Sequence, residues 1–181
     1  DLNVGGARIC RSTVNLPKYE KITFGIDDTD TKEKGATWVL AMKCGEACNV
    51  DGAIFLGMRL IQLNPKAPNK TTNCTGSVLS FAVLPEKKDE LISFVKEYIE
   101  KYTDSPETGI CYAEGLILPE SPYKNQIKTE LLTAEYANEE AKRIGVTFID
   151  SANDKGRIGA LGALLWANDG VEAAGLLGER P

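Results

Sequence analysis

Three carboxylates fall within four positions, at Asp27, Asp28 and Asp30, inside the run Gly25-Ile26-Asp27-Asp28-Thr29-Asp30. Acids this close repel one another unless a cation or a basic side chain neutralises them, and hard carboxylate oxygens suit Mg²⁺. Mg²⁺ takes one or two carboxylates and leaves its other positions to water and substrate phosphate. The cluster therefore predicts a nucleotide site with Asp27, Asp28 and Asp30 as metal ligands. The competing reading is a solvated turn, because Asp and Thr also favour turns and helix starts.

The residues that follow tilt the balance toward an anion. Gly35 permits close backbone approach, and the first N–H groups of a helix expected over residues 36–48, flanked by Lys32 and Lys34, form an oxyanion site. Thr37 falls in the first turn of that helix, where its hydroxyl either meets a phosphate or serves the helix start. Two further polar stretches could complete the site. Lys70-Thr71-Thr72-Asn73 offers a charge and hydroxyls, and Lys155-Gly156-Arg157 reads as a loop feeding a helix, with the planar Arg157 fork able to hold phosphate. Solvated loop charges are the alternative for both. Neither resembles a Walker A sequence, and no Rossmann glycine fingerprint is present. The chain contains no histidine, so a histidine general base or a His-ligated zinc is excluded.

These residues must be held by elements that the pattern also predicts. A β-prone run, 21–26, ends at the acid cluster. Strands are expected at 53–63 and 76–84, joined by a loop with two prolines, and at 109–118 and 146–149. Residues 87–102 place Leu91, Phe94, Val95, Tyr98 and Tyr102 on one helical face. One or two helices are expected over 122–144, closed by Gly145, and a last one over 160–167. The order βα, ββ, α, β, α, β, α predicts an α/β fold: a mixed β-sheet with helices packed on it. Residues 1–20 read as an N-terminal arm and 21–181 as a single α/β nucleotide-binding domain.

Length and composition agree with this. The 181 residues suit one core, and 43% hydrophobic with 26% charged residues is the balance of a folded domain. No run approaches the roughly 20 apolar residues of a membrane span, so no membrane partner is expected and a cytoplasmic location is. A net charge of −5 argues against a general nucleic-acid coat. Residues 1–70 nevertheless hold 10 Lys and Arg against 8 Asp and Glu, a surplus of +2, while 71–181 hold 11 against 18. The N-terminal part is the better place for an anion. Five cysteines at irregular spacing are unlike a disulfide framework; Cys44 and Cys48, four apart, read as buried core residues or as a metal or redox pair.

The motifs taken together resemble a known family. Gly25-Ile-Asp-Asp-Thr-Asp30 with Gly35-Ala-Thr37, then Arg59-Leu-Ile-Gln-Leu-Asn-Pro65 with Lys70-Thr71, then Gly156-Arg-Ile-Gly-Ala-Leu161, are similar in sequence and order to the kinase module of archaeal tRNA-Ile agmatidine synthetase (TiaS). The resemblance runs from about residue 22 to 167. It implies Mg²⁺ and ATP as cofactors, Asp27, Asp28 and Asp30 as metal and catalytic carboxylates, and Thr37 as a phosphoacceptor. Gly35, Lys70, Thr71, Gly156 and Arg157 would contact the nucleotide. The chain departs from the family pattern at Ala36 and Trp38, where the synthetase carries a cysteine and a second threonine. It also shows no OB-like region or zinc-ribbon cysteine pairs, so RNA is expected as a partner only with additional domains. Among relatives that carry the module without such parts, it resembles the methanogenesis marker protein 11 group. The implied function is an ATP-dependent phosphotransferase or ATP-hydrolysing domain, acting on an unassigned second substrate. A fragment of the synthetase and a non-catalytic nucleotide-sensing or assembly factor are the alternatives.

Overall fold

The computed structural model of the chain describes residues 2–3, 9–10, 13–68, 70, 74–149 and 154–169. In β3 (Glu20–Asp27) every residue from Ile22 to Ile26 is buried. Side chains alternate across a strand, so Ile22, Phe24 and Ile26 enter one core layer, while Gly25 and Asp27 face the other. This strand lies at the centre of a five-stranded sheet. It pairs on one side with β5 (Thr75–Val83) and on the other with β6 (Gly109–Glu114), and β4 (Ala53–Gln62) and β7 (Thr147–Phe148) form the edges, in the order β4-β5-β3-β6-β7.

Helix α1 (Thr37–Glu46) connects β3 to β4, and α2 (Lys88–Tyr102) connects β5 to β6. The unit β3-α1-β4-β5-α2-β6, with order β4-β5-β3-β6, is a split βαββαβ arrangement of ferredoxin-like topology. The α/β class is as expected, but every strand pairing in this sheet is antiparallel rather than mixed. The reason lies in the crossovers. β3 and β4 run parallel, yet β5 occupies the slot between them, and β3 likewise separates β5 from β6.

Helices α1 and α2 cover one face through Ala41, Cys44, Leu91, Val95 and Ile99. The stripe on α2 is therefore centred on Leu91, Val95 and Ile99, with Phe94 and Tyr98 at its flank, and Tyr102 lies half exposed. Helices α3 (Tyr123–Gln126), α4 (Ala134–Ile144) and α5 (Lys155–Leu165) cover the other face. Gly145 closes α4 in the left-handed conformation, as its position predicts. Strand β6 stops short of the expected 118: the chain turns at Gly115 and leaves Leu116 and Ile117 exposed. At the N-terminus, β1 (Leu2–Asn3) and β2 (Ile9–Cys10) form a separate antiparallel pair, and residues 13–19 are irregular and exposed. Among the described residues no helix is long and apolar enough to cross a membrane.

The chief correction concerns α5. Residues 155–159 are its first turns, not a loop leading into it. Its seat on the sheet depends on missing side chains. A Cβ on Gly25 would lie 2.1 Å from the Ala160 carbonyl oxygen, and one on Gly156 would lie 2.3 Å from the Gly109 nitrogen. Both obstacles are backbone, so helix or strand would have to move. We expect Gly25→Ala to destabilise the fold by about 3 kcal/mol through overpacking. Urea denaturation with an unchanged m-value checks this, and a loss below about 1 kcal/mol would contradict the close seat.

Candidate nucleotide and metal site

The acid loop begins where β3 leaves the sheet. Asp27 is the last strand residue, and its alternation toward α5 places its carboxylate against Gly159, where a Cβ would lie 1.5 Å from Oδ2. Asp28 takes a left-handed backbone, φ 53°, which is uncommon outside glycine, asparagine and aspartate. Thr29 is buried, and its carbonyl accepts the Asp104 N–H at 2.9 Å. Asp30 turns back toward α1. There the Thr37 hydroxyl donates to Asp30 Oδ1 at 3.0 Å and accepts from the Thr29 N–H and hydroxyl, both at 3.2 Å. Ala36 occupies the N-cap of α1 and makes no side-chain cap bond. The first-turn N–H groups of a helix lack intrahelical partners, so this end suits an anion.

Asp27, Asp28, Asp30, Ala36, Thr37 and Gly159 line one cavity of about 430 Å³, at the end of the sheet where β3 and β4 finish and β5 and β6 begin. That volume falls in the usual range for small-molecule sites. Its charged lining includes Asp27, Asp28, Asp30, Lys34, Lys70, Glu107 and Lys155. The lining also includes the apolar residues Leu63, Pro68, Leu131 and Leu132. The rim charges have local partners. Lys34 Nζ sits 2.6 Å from Asp104, Lys155 pairs with Glu107, and Lys70 donates to the Pro65 carbonyl.

The carboxylates hold more negative charge than their surroundings offset. Burial drives Asp27 well above the usual carboxylate range, and the charge of Asp28 and then of Asp30 adds to the effect, against an N–H from the Asp28 backbone. Asp28 is pushed up to about 6 by burial first, then by Glu107 and Asp30, with Lys155 opposing. Burial first, and then the charges of Asp27 and Asp28, push the neighbouring Cys74 thiol up to about 11. A divalent cation would relieve this excess, and carboxylate oxygen is the donor Mg²⁺ prefers. Among the described residues, no three acidic or thiol side chains converge closely enough to cage a metal alone. The three aspartates are thus not a closed ligand set, and Asp30 is already engaged by Thr37.

Of the residues picked out from the sequence, Asp27, Asp28, Asp30, Gly35, Thr37 and Lys70 meet at this cavity. Gly35 is in the left-handed region, φ 87°, with Asp104 Oδ2 beside it. Two do not reach it. Gly156 is spent on packing against Gly109, and Arg157 bonds Asn138 and Asp154 and lies over the Phe148 ring. As part of a helix rather than a loop, Arg157 projects from a different side than Lys155. Thr71 lies outside the described residues. Cys44 is a core residue whose thiol burial pushes up to about 12, and Cys48 is raised for the same reason, so neither is a ready thiolate. Asp104 and Glu107 carry no signal in the sequence, because Asp104-Ser105-Pro106-Glu107 looks like any polar turn.

Comparison with known proteins gives the class. The TiaS TCKD domain family matches residues 23–153, well over half of the chain, and the chain belongs to that family. An uncharacterized protein of Methanocaldococcus jannaschii is 40% identical over 163 residues, covering 88% of this chain and 54% of that protein. The tRNA 2-agmatinylcytidine synthetase TiaS of Pyrococcus horikoshii is 30% identical over 147 residues, 78% of this chain and 34% of the synthetase. The crystal structure of a complex of TiaS with tRNA and ATP superposes with a TM-score of 0.72 at 24% identity, over 81% of this chain and 36% of that one. At that identity the likeness is one of fold. The chain spans about half the length of the first relative and about a third of the synthetases.

The raised carboxylates carry a signed pH dependence. A carboxylate whose folded value is raised favours the fold below its unfolded value, near 3.8 for Asp28, and that advantage is lost as pH rises through about 6. Asparagine tolerates the left-handed backbone and carries no charge. We therefore expect Asp28→Asn to raise the stability of the ligand-free protein at pH 7 by about 2 kcal/mol, with the gain shrinking toward pH 4. Chemical denaturation at the two pH values measures it. A destabilised variant at pH 7 would contradict the charge-excess account.

Proposed function

We propose that this chain is a Mg²⁺- and ATP-dependent phosphotransferase domain. The observation that carries the reading is the hydrogen bond from the Thr37 hydroxyl to Asp30, inside a cavity shared with two further carboxylates and the uncapped start of α1. Asp27 and Asp28 are the residues that would hold Mg²⁺, which when bound neutralises phosphate charge. The α1 N-terminus, Lys34 and Lys70 would receive the phosphates, and the apolar lining residues Leu63, Pro68 and Leu132 suit a nucleobase. In-line transfer requires mainly positioning and charge neutralisation, so a site without histidine suffices. Asp30 accepts the Thr37 proton while the Thr37 oxygen bonds the γ-phosphorus and ADP leaves. That the chain's fold is also that of a protein crystallised with ATP supports the nucleotide assignment.

The activated product and second substrate of the whole protein belong to the same proposal. The chain matches about a third of the tRNA-modifying synthetases, and a piece of such an enzyme would act on RNA through domains outside this one. A narrower role, in cofactor or enzyme maturation as a methanogenesis marker protein, rests on the sequence resemblance alone.

Two measurements test the reading. Mg-ATP at about a hundred times its Kd should stabilise the fold by about 2.7 kcal/mol, roughly 5–10 °C in a domain of this size, and Asp28→Asn should abolish the metal-dependent part. No metal-dependent shift at millimolar nucleotide defeats the ATP assignment and leaves an assembly role. Mass spectrometry after incubation with Mg-ATP should find one phosphoryl group on the Thr37 peptide, and none in Asp30→Asn. An unmodified peptide from a sample that hydrolyses ATP would remove Thr37 as acceptor.

A further inference from the structure

The acid loop is tied from behind by residues that do not line the cavity. Thr108 is buried, and its hydroxyl donates to the Asp28 carbonyl at 3.2 Å, the carbonyl of the residue held at φ 53°. Its Oγ1 lies 2.6 Å from Thr103 Oγ1, just past the C-terminus of α2. Thr103 Oγ1 in turn accepts the Ser105 N–H at 3.2 Å and lies 3.1 Å from the Thr29 carbonyl, and the Ser105 carbonyl lies 3.2 Å from Thr103 Oγ1 and 3.1 Å from Thr108 Oγ1.

Two hydroxyls have two protons, and their acceptors compete for them. The Thr29 carbonyl is already served by the Asp104 N–H at 2.9 Å, whereas for the Asp28 carbonyl the Thr108 hydroxyl is the donor at hand. The Ser105 carbonyl, on a half-buried turn, lies within reach of both hydroxyls. The 2.6 Å contact requires one hydroxyl to donate to the other, and the Asp28 carbonyl is served only when Thr103 donates to Thr108, whose proton then faces the Asp28 and Ser105 carbonyls. Hydrogen bonds in such a chain polarise one another in the same sense. The left-handed Asp28 backbone is a disfavoured conformation that persists only if its surroundings hold it.

We infer that Thr103 and Thr108 are positioning residues, a hydroxyl relay that fixes the Asp28 peptide and so aims the Asp28 carboxylate at the cation that accompanies the nucleotide. Neither touches substrate. The inference rests on the proposed Mg-ATP site and goes beyond it by assigning the constraint that orients its metal-facing carboxylate. The α2 C-terminus and the start of β6 thereby join the machinery, although neither carries an acid-loop residue.

The test is the Mg²⁺ concentration dependence of ATP binding to the chain, read by calorimetry, together with metal-free nucleotide binding and ligand-free melting temperature. Wild type comes first: if it binds no Mg-ATP, the proposed function fails and the relay has no site to serve. If it binds, Thr108→Val, which keeps the shape and removes the hydroxyl, should need about tenfold more Mg²⁺ for half-maximal nucleotide binding, while metal-free binding stays as in wild type. Thr108→Ser, which keeps the hydroxyl, should restore the wild-type Mg²⁺ requirement. Thr103→Val should show the same defect, and the double variant no further one, because both cut a single chain. A merely architectural threonine would lower the melting temperature and weaken binding with and without metal alike. Thr108→Val with a wild-type Mg²⁺ requirement, or Thr108→Ser as defective as Thr108→Val, would overturn the inference. If Thr108→Val does not fold, Thr103→Val against Thr103→Ser decides by the same comparison.

Discussion

Negative charge crowded against a helix is the constraint from which the rest of this site follows. Strand alternation points Asp27 toward α5, and the notch at Gly159 is what leaves room for its carboxylate. Asp28 and Asp30 then follow with no helix between them and the first. Their charges raise the affinity of Asp27 for a proton above what burial already does. A fold that keeps such a loop at its centre gives up stability at neutral pH unless a positive ligand arrives. That trade is characteristic of sites selected for binding rather than for rigidity.

The split sheet explains why the loop has the neighbours it has. Because β5 inserts between β3 and β4, and β3 between β5 and β6, the starts of α1 and α5 and the end of α2 gather at one end of the molecule. Positive helix starts and lysines therefore surround the acids without collapsing onto them. Lys34 is held off by Asp104, and Lys155 by Glu107. The cavity thus brings acids, lysines, helix starts and apolar side chains together. The TiaS complex with tRNA and ATP shares the fold to a TM-score of 0.72, while the synthetases run to about three times the matched length.

Much of this is legible in the residues. The acid loop, the glycine before α1 and the threonine in its first turn are local in sequence, and local spacing is enough to bring them together. The long elements are also clear, since apolar periodicity marks β3, β5 and α2. What spacing does not carry is non-local. Strand pairing depends on which slot a returning strand takes, so the pattern predicts a mixed sheet where an antiparallel one forms. The start of α5 is hidden because Gly156 and Gly159 look like loop residues, when they are the close-approach face of a helix. That shift of register carries Arg157 away from the site. Glu107, Asp104 and the Thr103–Thr108 pair sit in an ordinary-looking turn, and only the packing of α2 against the acid loop gives them a role.

The central claim is that a divalent ion, shared with nucleotide phosphate, resolves the charge at Asp27 and Asp28. The direct measurement is a crystal grown with Mn²⁺ in place of Mg²⁺ and a non-hydrolysable ATP analogue, with the ion located by its anomalous scattering. The account predicts Mn²⁺ at roughly 2.0–2.3 Å from carboxylate oxygens of Asp27 and Asp28, bridging to phosphate oxygens. A bound analogue with no ion at either carboxylate, or an ion bound far from the acid loop, would contradict it.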